Sequence, residues 1–452
     1  MVGKGPTIAL RSFPPAGMVD GLQQVPLEMI MHRYIRILFG VCTAVVFALT
    51  ITEAAFATDT SELARAAFQA QERGQPLVAI GLFNQAMKDE QLSKKQRGLL
   101  LFGRGTAYQQ LGMTEGALSD LDGVVALLPD FPGGYVYRAV IWTAERRYPE
   151  ALTDLQQAHQ LAPNDASVIL NLGNLYAQMG RLELAIENYD QAIGLRSDFD
   201  KAYFDRAGAY MIKRDFARAM ADFDKAIELR PTFADALANR GALHLANGNF
   251  DGALSDLNAA LEIAPRNARY HDARANAYLV AARYGDALVE YEEALQIDPG
   301  NPALHFGRGR AHLFLEDSAD AIHDLQVAVR LRPTDATAAI WLHIARLHAN
   351  SVDDNEFATN AARVKRDAWP GAVLDLYLGA LMPAEMLAKA QEGAEQDSER
   401  RLCEAQFYVA DYGIHRGATN EALDTMKGVV SRCRSFALVY GSARAEISLA
   451  QH

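Results

Sequence analysis

Four histidines stand where a shared ligand could be assembled. His271 and His305 are 34 residues apart, His312 follows His305 by seven, and His244 shares the slot of His312 two intervals earlier. A stacked pair of imidazoles is a common beginning for a metal site. The same slots hold Tyr135, Tyr203 and Tyr278 elsewhere, which are packing positions, and no column of carboxylates or thiolates completes a ligand set. These histidines are therefore expected to pack, and neither a metal nor any other cofactor is expected. Isolated serines such as Ser255 and Ser351 have no base placed beside them. No Gly-rich phosphate loop, nucleophile elbow or His-Glu-x-x-His helix occurs, so the chain is not expected to be an enzyme.

A second set of charged residues is far more regular. Arg104, Arg138, Arg206, Arg240, Arg274 and Arg308 form one column, and Asp120, Asp154, Asp222, Asp256, Glu290 and Asp324 follow sixteen residues after each. Where Leu172 replaces the arginine, Asn188 replaces the acid, so cation and anion are lost together. A planar guanidinium suits bidentate contact with a carboxylate. The columns predict a ladder of structural ion pairs, within units or between them.

The element that must position these residues is a 34-residue unit. Pro129, Pro163, Pro231, Pro265, Pro299 and Pro333 share one register, with Ser197 in the slot that lacks proline. Ala117, Ala151, Ala185, Ala219, Ala253, Ala287 and Ala321 share another. A period this regular marks a repeat array. Seven units fill residues 98–335, beginning at 98, 132, 166, 200, 234, 268 and 302. Each reads as two amphipathic helices: in the unit from Ala166, Leu170, Leu172, Gly173 and Tyr176 lie on helix A, Gly180 turns the chain, and Ala185, Tyr189 and Ala192 recur along helix B. Small residues at the eighth and twentieth positions let the helices approach, and a large one at the twenty-fourth fills the groove between hairpins. Each proline stops helix B, having no N–H and a fixed φ. The fold class is all-α. Residues 58–97 predict a looser first hairpin with a turn at Gly74. Residues 336–401 predict a degenerate segment with helices over 336–349, 356–367, 372–381 and 384–396. Residues 402–452 predict a last hairpin, helix A over 406–413 and a turn at Gly417, then a closing helix over 436–449.

Half of the residues are hydrophobic and 22% are charged, an ordinary globular composition. The 44 basic against 56 acidic residues give a net charge of −12, which argues against nucleic acid as a partner. Residues 1–57 read as a leader. Arg33 and Arg36 precede the apolar run Ile37 to Ile51, and Ala55-Phe56-Ala57 supplies the small residues of a cleavage site after Ala57, with Met29 or Met31 as an alternative start. An exported, periplasmic chain is expected, with an uncleaved membrane anchor facing the periplasm as the alternative. The residues before Cys42 make a poor lipobox. Cleavage leaves Cys403 and Cys433, which fall near the same end of the last hairpin. A disulfide there would close a loop of about thirty residues, worth ~3 kcal/mol.

The units resemble the tetratricopeptide repeat. The family's tryptophan near the start of helix A is replaced by Leu101, Tyr135, Ile169, Tyr203, Leu237, His271 and His305. The resemblance implies a right-handed superhelix, an α-solenoid of antiparallel hairpins whose helix A faces line a concave groove. By that resemblance the groove for a protein partner includes Phe102, Gln109, Asn174, Lys201, Phe204, Met211, Asp272, Asn276, Phe306 and Arg310. Some family members grip a peptide carboxylate with lysine and asparagine; Asn174 fits, but Leu170 stands where the lysine belongs. Trp369, the string LDLYLGAL from Leu374 and the string FYVADYGIHRGATNEAL from Phe407 resemble the C-terminal half of NlpI-like lipoproteins. That likeness implies a scaffold binding envelope proteins such as a periplasmic protease or peptidoglycan enzymes, with homodimerisation compatible. The alternative is a binding module for a small ligand or glycan.

Overall fold

The computed structural model describes residues 58–392, 395–433 and 436–449. The leader, with Cys42 and the cleavage site at Ala57, lies outside them. Among the described residues every regular element is an α-helix, and none is long and apolar enough to cross a membrane. The chain divides into two compact units between Pro231 and Thr232, inside the regular array.

The first unit is a run of hairpins. Helix α1 (Thr58–Glu72) pairs with α2 (Pro76–Ala86), α3 (Lys94–Gln110) with α4 (Thr114–Leu127), and α5 (Pro132–Ala144) with α6 (Tyr148–Leu161). Then α7 (Ala166–Gln178) pairs with α8 (Leu182–Leu195), and α9 (Asp200–Ile212) with α10 (Phe216–Leu229). The second unit continues the pattern with α11 (Ala234–Ala246) and α12 (Phe250–Ile263), α13 (Ala268–Val280) and α14 (Tyr284–Ile297), and α15 (Pro302–Phe314) and α16 (Ser318–Leu331). Beyond these, α17 (Ala336–His348) precedes the shorter α18 (Asp354–Ala361), α19 (Gly371–Tyr377) and α20 (Pro383–Gln391). The long α21 (Glu395–Ile414) packs on α22 (Thr419–Arg432), and α23 (Ala437–Leu449) closes the chain. Each unit is thus an α-solenoid of antiparallel helix pairs.

Local chemistry explains the repetition. Asp165, Asp215, Asn249, Asn267, Asn301 and Asp335 each accept a backbone N–H at a helix start, satisfying donors that no turn of helix can reach. The alanine at the twentieth position is fully buried in all seven units. Opposite it, a Cβ on Gly241 or Gly309 would lie 3.2 Å from the carbonyl oxygen of Ala253 or Ala321, so the eighth position has little room to grow. Between helices A and B the backbone takes a left-handed conformation at the same register position throughout. Glycine holds it at Gly112, Gly180 and Gly248 (φ 71°, 74° and 73°), yet Arg146, Arg214, Ala282 and Glu316 also adopt φ of 58–62°. That geometry costs an L residue about 1 kcal/mol, which the packing of the hairpin overrides.

After α16 the boundaries depart from the periodic reading. The helix expected over 356–367 ends at Ala361, and the one over 384–396 ends at Gln391. The last hairpin's first helix begins at Glu395 rather than 406. Arg401 accounts for the break at the latter place: its guanidinium donates to the carbonyls of Ala390 and Glu392, satisfying the end of α20. One core spans this region, with Trp341 fully buried and stacked on Phe407 at 5.8 Å.

Candidate protein-binding surface

The ladder joins helix A to helix B of one repeat. Arg240 donates from Nε and Nη2 to the two oxygens of Asp256 at 2.8 and 2.7 Å. Arg104–Asp120, Arg138–Asp154, Arg206–Asp222 and Arg308–Asp324 have the same bidentate geometry, at 2.6–2.8 Å. The remaining guanidinium nitrogen reaches back to the preceding hairpin: Nη1 of Arg138 to Asp122 (2.7 Å), of Arg206 to Asp190 (2.5 Å) and of Arg274 to Asn258 (2.8 Å). One side chain therefore ties three helices. The carboxylates are nearly buried and the arginines about one-fifth exposed, which concentrates the interaction and limits screening. In the exceptional unit Leu172 is buried and Asn188 turns its amide onto the Leu184 carbonyl instead.

Two of the histidines belong to this ladder. His271 places Nδ1 2.8 Å from Glu290 and Nε2 2.9 Å from the carbonyl of Pro265 in the preceding repeat. His305 repeats the arrangement with Asp324 at 3.2 Å and Pro299 at 3.0 Å. The hydrogen bond to the Glu290 carboxylate holds His271 above its ordinary pKa. His244 contacts Asn249, and His312 lies 3.3 Å from Asp317 beside Asp320, an exposed acidic pair on one turn.

The expected groove needs correction. Gln109, Lys201, Asn276 and Phe306 are partly exposed, but Phe102, Asn174, Phe204, Met211, Asp272 and Arg310 are buried. Phe102 meets Phe131 and Tyr137 edge to face at 5.2 and 4.9 Å. Asn174 accepts from the Tyr189 hydroxyl at 2.7 Å and donates to Asp205 at 3.0 Å. Asp272 accepts from the Asn276 amide at 2.9 Å in a site whose burial pushes its carboxyl up to about 7. Phe204 packs on Phe223, at 5.8 Å between rings. Phe102 and Asn174 meet side chains of the next repeat, and Phe204 meets helix B of its own, so a large or polar side chain there is enclosed by neighbours rather than presented.

Arg310 has a different explanation, which no periodic reading contains. Its guanidinium lies over Trp341 at 4.8 Å and donates to Ser442 Oγ on α23 at 2.9 Å. Helix α23 packs across α13 and α15, and Gly441 approaches the backbone of Val280 so closely that a Cβ would sit 3.2 Å from its Cα. The chain's own last helix covers the helix A faces of these two repeats. The helix A surface of the first unit keeps partly exposed Gln109, Gln110 and Lys201, with Ile212 52% exposed.

Cys403 and Cys433 are joined in a disulfide between α21 and the end of α22. Replacing both by alanine, or reducing the native bond, is expected to remove about 3 kcal/mol from the second unit, because the bond limits the unfolded loop of thirty residues. Urea unfolding with and without reductant checks this; coincident curves would show that the bond contributes nothing.

A stack of paired helices with a helix A surface and an internal ion-pair ladder is a helical-repeat scaffold of the protein-binding kind. Families described as "TPR repeat" match over residues 144–180 and 173–213, and "Tetratricopeptide repeat" over 210–277. The chain carries tetratricopeptide repeats, and its fold is their α-solenoid. Tetratricopeptide repeat protein 13 of Homo sapiens is 31% identical over 130 residues, 27% of this chain and 15% of that protein. Protein O-mannosyl-transferase Tmtc3 of Drosophila melanogaster is 33% identical over 132 residues, 26% of this chain and 14% of that one. The chain thus spans about one-seventh of the length of these curated relatives. Among solved structures, the Cut9-Hcn1 hetero-tetramer of APC/C aligns with a TM-score of 0.51 at 14% identity, over 66% of this chain and 58% of its own. That likeness is one of fold.

Proposed function

We propose that this chain is an exported, non-catalytic adaptor that holds protein partners of the cell envelope, such as a protease or peptidoglycan enzymes, on the helix A faces of its first unit. The observation that carries the reading is the contrast between units. In the second, α23 packs across the helix A faces of two repeats, where Asn276 and Phe306 are still partly exposed; in the first, Ile212 is exposed and Gln109 and Lys201 are partly exposed. A mixture of amides, one cation and an apolar side chain suits an extended or helical segment of another protein. Export and a periplasmic location are supported by the leader pattern and by the disulfide, since such bonds persist in oxidising compartments. The likeness of the strings from Leu374 and Phe407 to NlpI-like proteins points the same way. The name of the Drosophila relative raises a transferase reading, but the shared stretch is 14% of that protein.

The test is crosslinked capture from periplasmic extract with the native chain and a Lys201→Glu/Ile212→Asp variant. One or more envelope proteins are expected on the native chain at least tenfold over the variant. Equal recovery on both, or no specific protein on either, would overturn the proposal. Stabilisation by muropeptides with no captured protein would favour the small-ligand alternative.

A further inference from the structure

Three segments bring buried and half-buried ligand atoms together in the second unit. His348 is the last residue of α17, Asp411 lies in the last turn of α21 with His415 one turn further, and Glu446 comes from α23. One ligand atom from each of His348, Asp411 and His415 lies within 4.8 Å of the others. His415 Nε2 is 3.7 Å from Asp411 Oδ1, and His348 Nε2 is 3.3 Å from Glu446 Oε2. Both carboxylate side chains are inaccessible, at 0% and 1% exposure. Asp411 Oδ1, Glu446 Oε1 and both Nε2 atoms nevertheless make no hydrogen bond. Burying two carboxylates is costly unless positive charge compensates them.

We infer that His348, Asp411 and His415, with Glu446 against His348, form a binding site for one divalent first-row transition cation, Zn2+ being the best match. Two imidazole nitrogens and one carboxylate oxygen are three ligands of a tetrahedral set for that ion, leaving a fourth position for water or for Glu446. Metal–ligand bonds of about 2.1 Å put neighbouring donors about 3.4 Å apart, close to the 3.7 Å between Asp411 and His415 in a group whose donors all lie within 4.8 Å of one another. The Tyr377 hydroxyl donates to Asp411 Oδ2, which turns Oδ1 toward the histidines in the manner of an outer-shell partner. His348 and His415 are 19% and 17% exposed, so an ion has a path in. The three ligands come from the ends of α17 and α21, and Glu446 on α23, the helix that covers α13 and α15, pairs with His348. A bound ion would therefore act on the covering helix through that contact.

Titration calorimetry of the tag-free, chelator-treated full chain with Zn2+, and visible spectroscopy with Co2+, test the site. One equivalent is expected to bind, with the intense bands of tetrahedral Co2+ and slower amide exchange across residues 437–449. Asp411→Asn and His415→Ala should each weaken binding at least 100-fold, whereas His312→Ala, in the exposed cluster with Asp317 and Asp320, should leave it unchanged. Far-ultraviolet circular dichroism verifies that each variant is folded; should Asp411→Asn unfold, the partly exposed His415→Ala carries the test. Absence of binding to the native chain, binding indifferent to His415→Ala, or binding lost in His312→Ala would each overturn the assignment.

Discussion

Arg240→Asp is expected to destabilise the second unit by about 3 to 5 kcal/mol, and pairing it with Asp256→Arg is expected to restore a large part of that loss. The single change leaves Asp256, whose side chain is 8% exposed, without its bidentate partner and facing a second carboxylate. Breaking a pair this enclosed strands a charge in a poorly solvated site, which is why the cost exceeds that of an exposed pair several-fold. The reversed pair can rebuild the two contacts of 2.8 and 2.7 Å from helix B to helix A, although not with identical side-chain lengths. A double-mutant cycle measured by urea unfolding gives the coupling directly. A coupling below about 0.5 kcal/mol would show that the ladder is decoration on a stack held by its apolar contacts alone.

Asp272→Asn should act in the opposite direction, by an amount that grows from about pH 4 to pH 7 and is constant above. Burial raises the Asp272 carboxyl from an ordinary 3.8 to about 7, with the Asn276 amide opposing the shift and Tyr291 and Arg310 in the same interior. Because the folded pKa lies above the unfolded one, the folded chain binds the proton more tightly between about pH 4 and 7. Stability from this group is therefore complete below about pH 4 and drains away as the pH rises through 7. Each unit of separation is worth about 1.4 kcal/mol, so the charged carboxylate costs the fold on the order of 4 kcal/mol above pH 8. Asparagine keeps the shape and the neutral state. The variant should match the native protein near pH 4, exceed it by several degrees in Tm at pH 8, and show a flatter stability profile between. Parallel profiles for the two proteins would mean that Asp272 is paired or hydrated when charged.

How much of this could be read from residues alone depends on whether the interaction repeats. The arginine and acid columns are visible because helix A and helix B of one unit are sixteen residues apart in every copy, so one contact prints itself many times. The backward reach of Arg138 to Asp122 and of Arg206 to Asp190 is not visible, since aspartates at that register position are interrupted by Asn258 and look like ordinary surface charge. Burial along the expected groove is hidden for a related reason: position within a helix tells which face a residue occupies, but not how deeply neighbouring helices cover that face. Phe102 and Asn174 sit on the assigned face and are enclosed, while Gln109 and Asn276 stay partly exposed. Among the histidines the period marks His271 and His305, which serve the ladder. The one local hint of the other pair was Asp411 four residues before His415, a spacing that puts both on one side of a helix.

The sequence by itself determined the all-helical repeat, its period and the helix A to helix B turns, because these rest on contacts between residues close in the chain and repeated in register. Tertiary structure alone decided that α23 lies on α13 and α15 and buries Arg310 beneath Ser442. It alone brought His348 to Asp411, His415 and Glu446 across gaps of 63, 67 and 98 residues. The segments between them follow no period, and where a non-repeating stretch folds back is settled by which apolar face it can cover, a property of the assembled surface that no single stretch of chain contains.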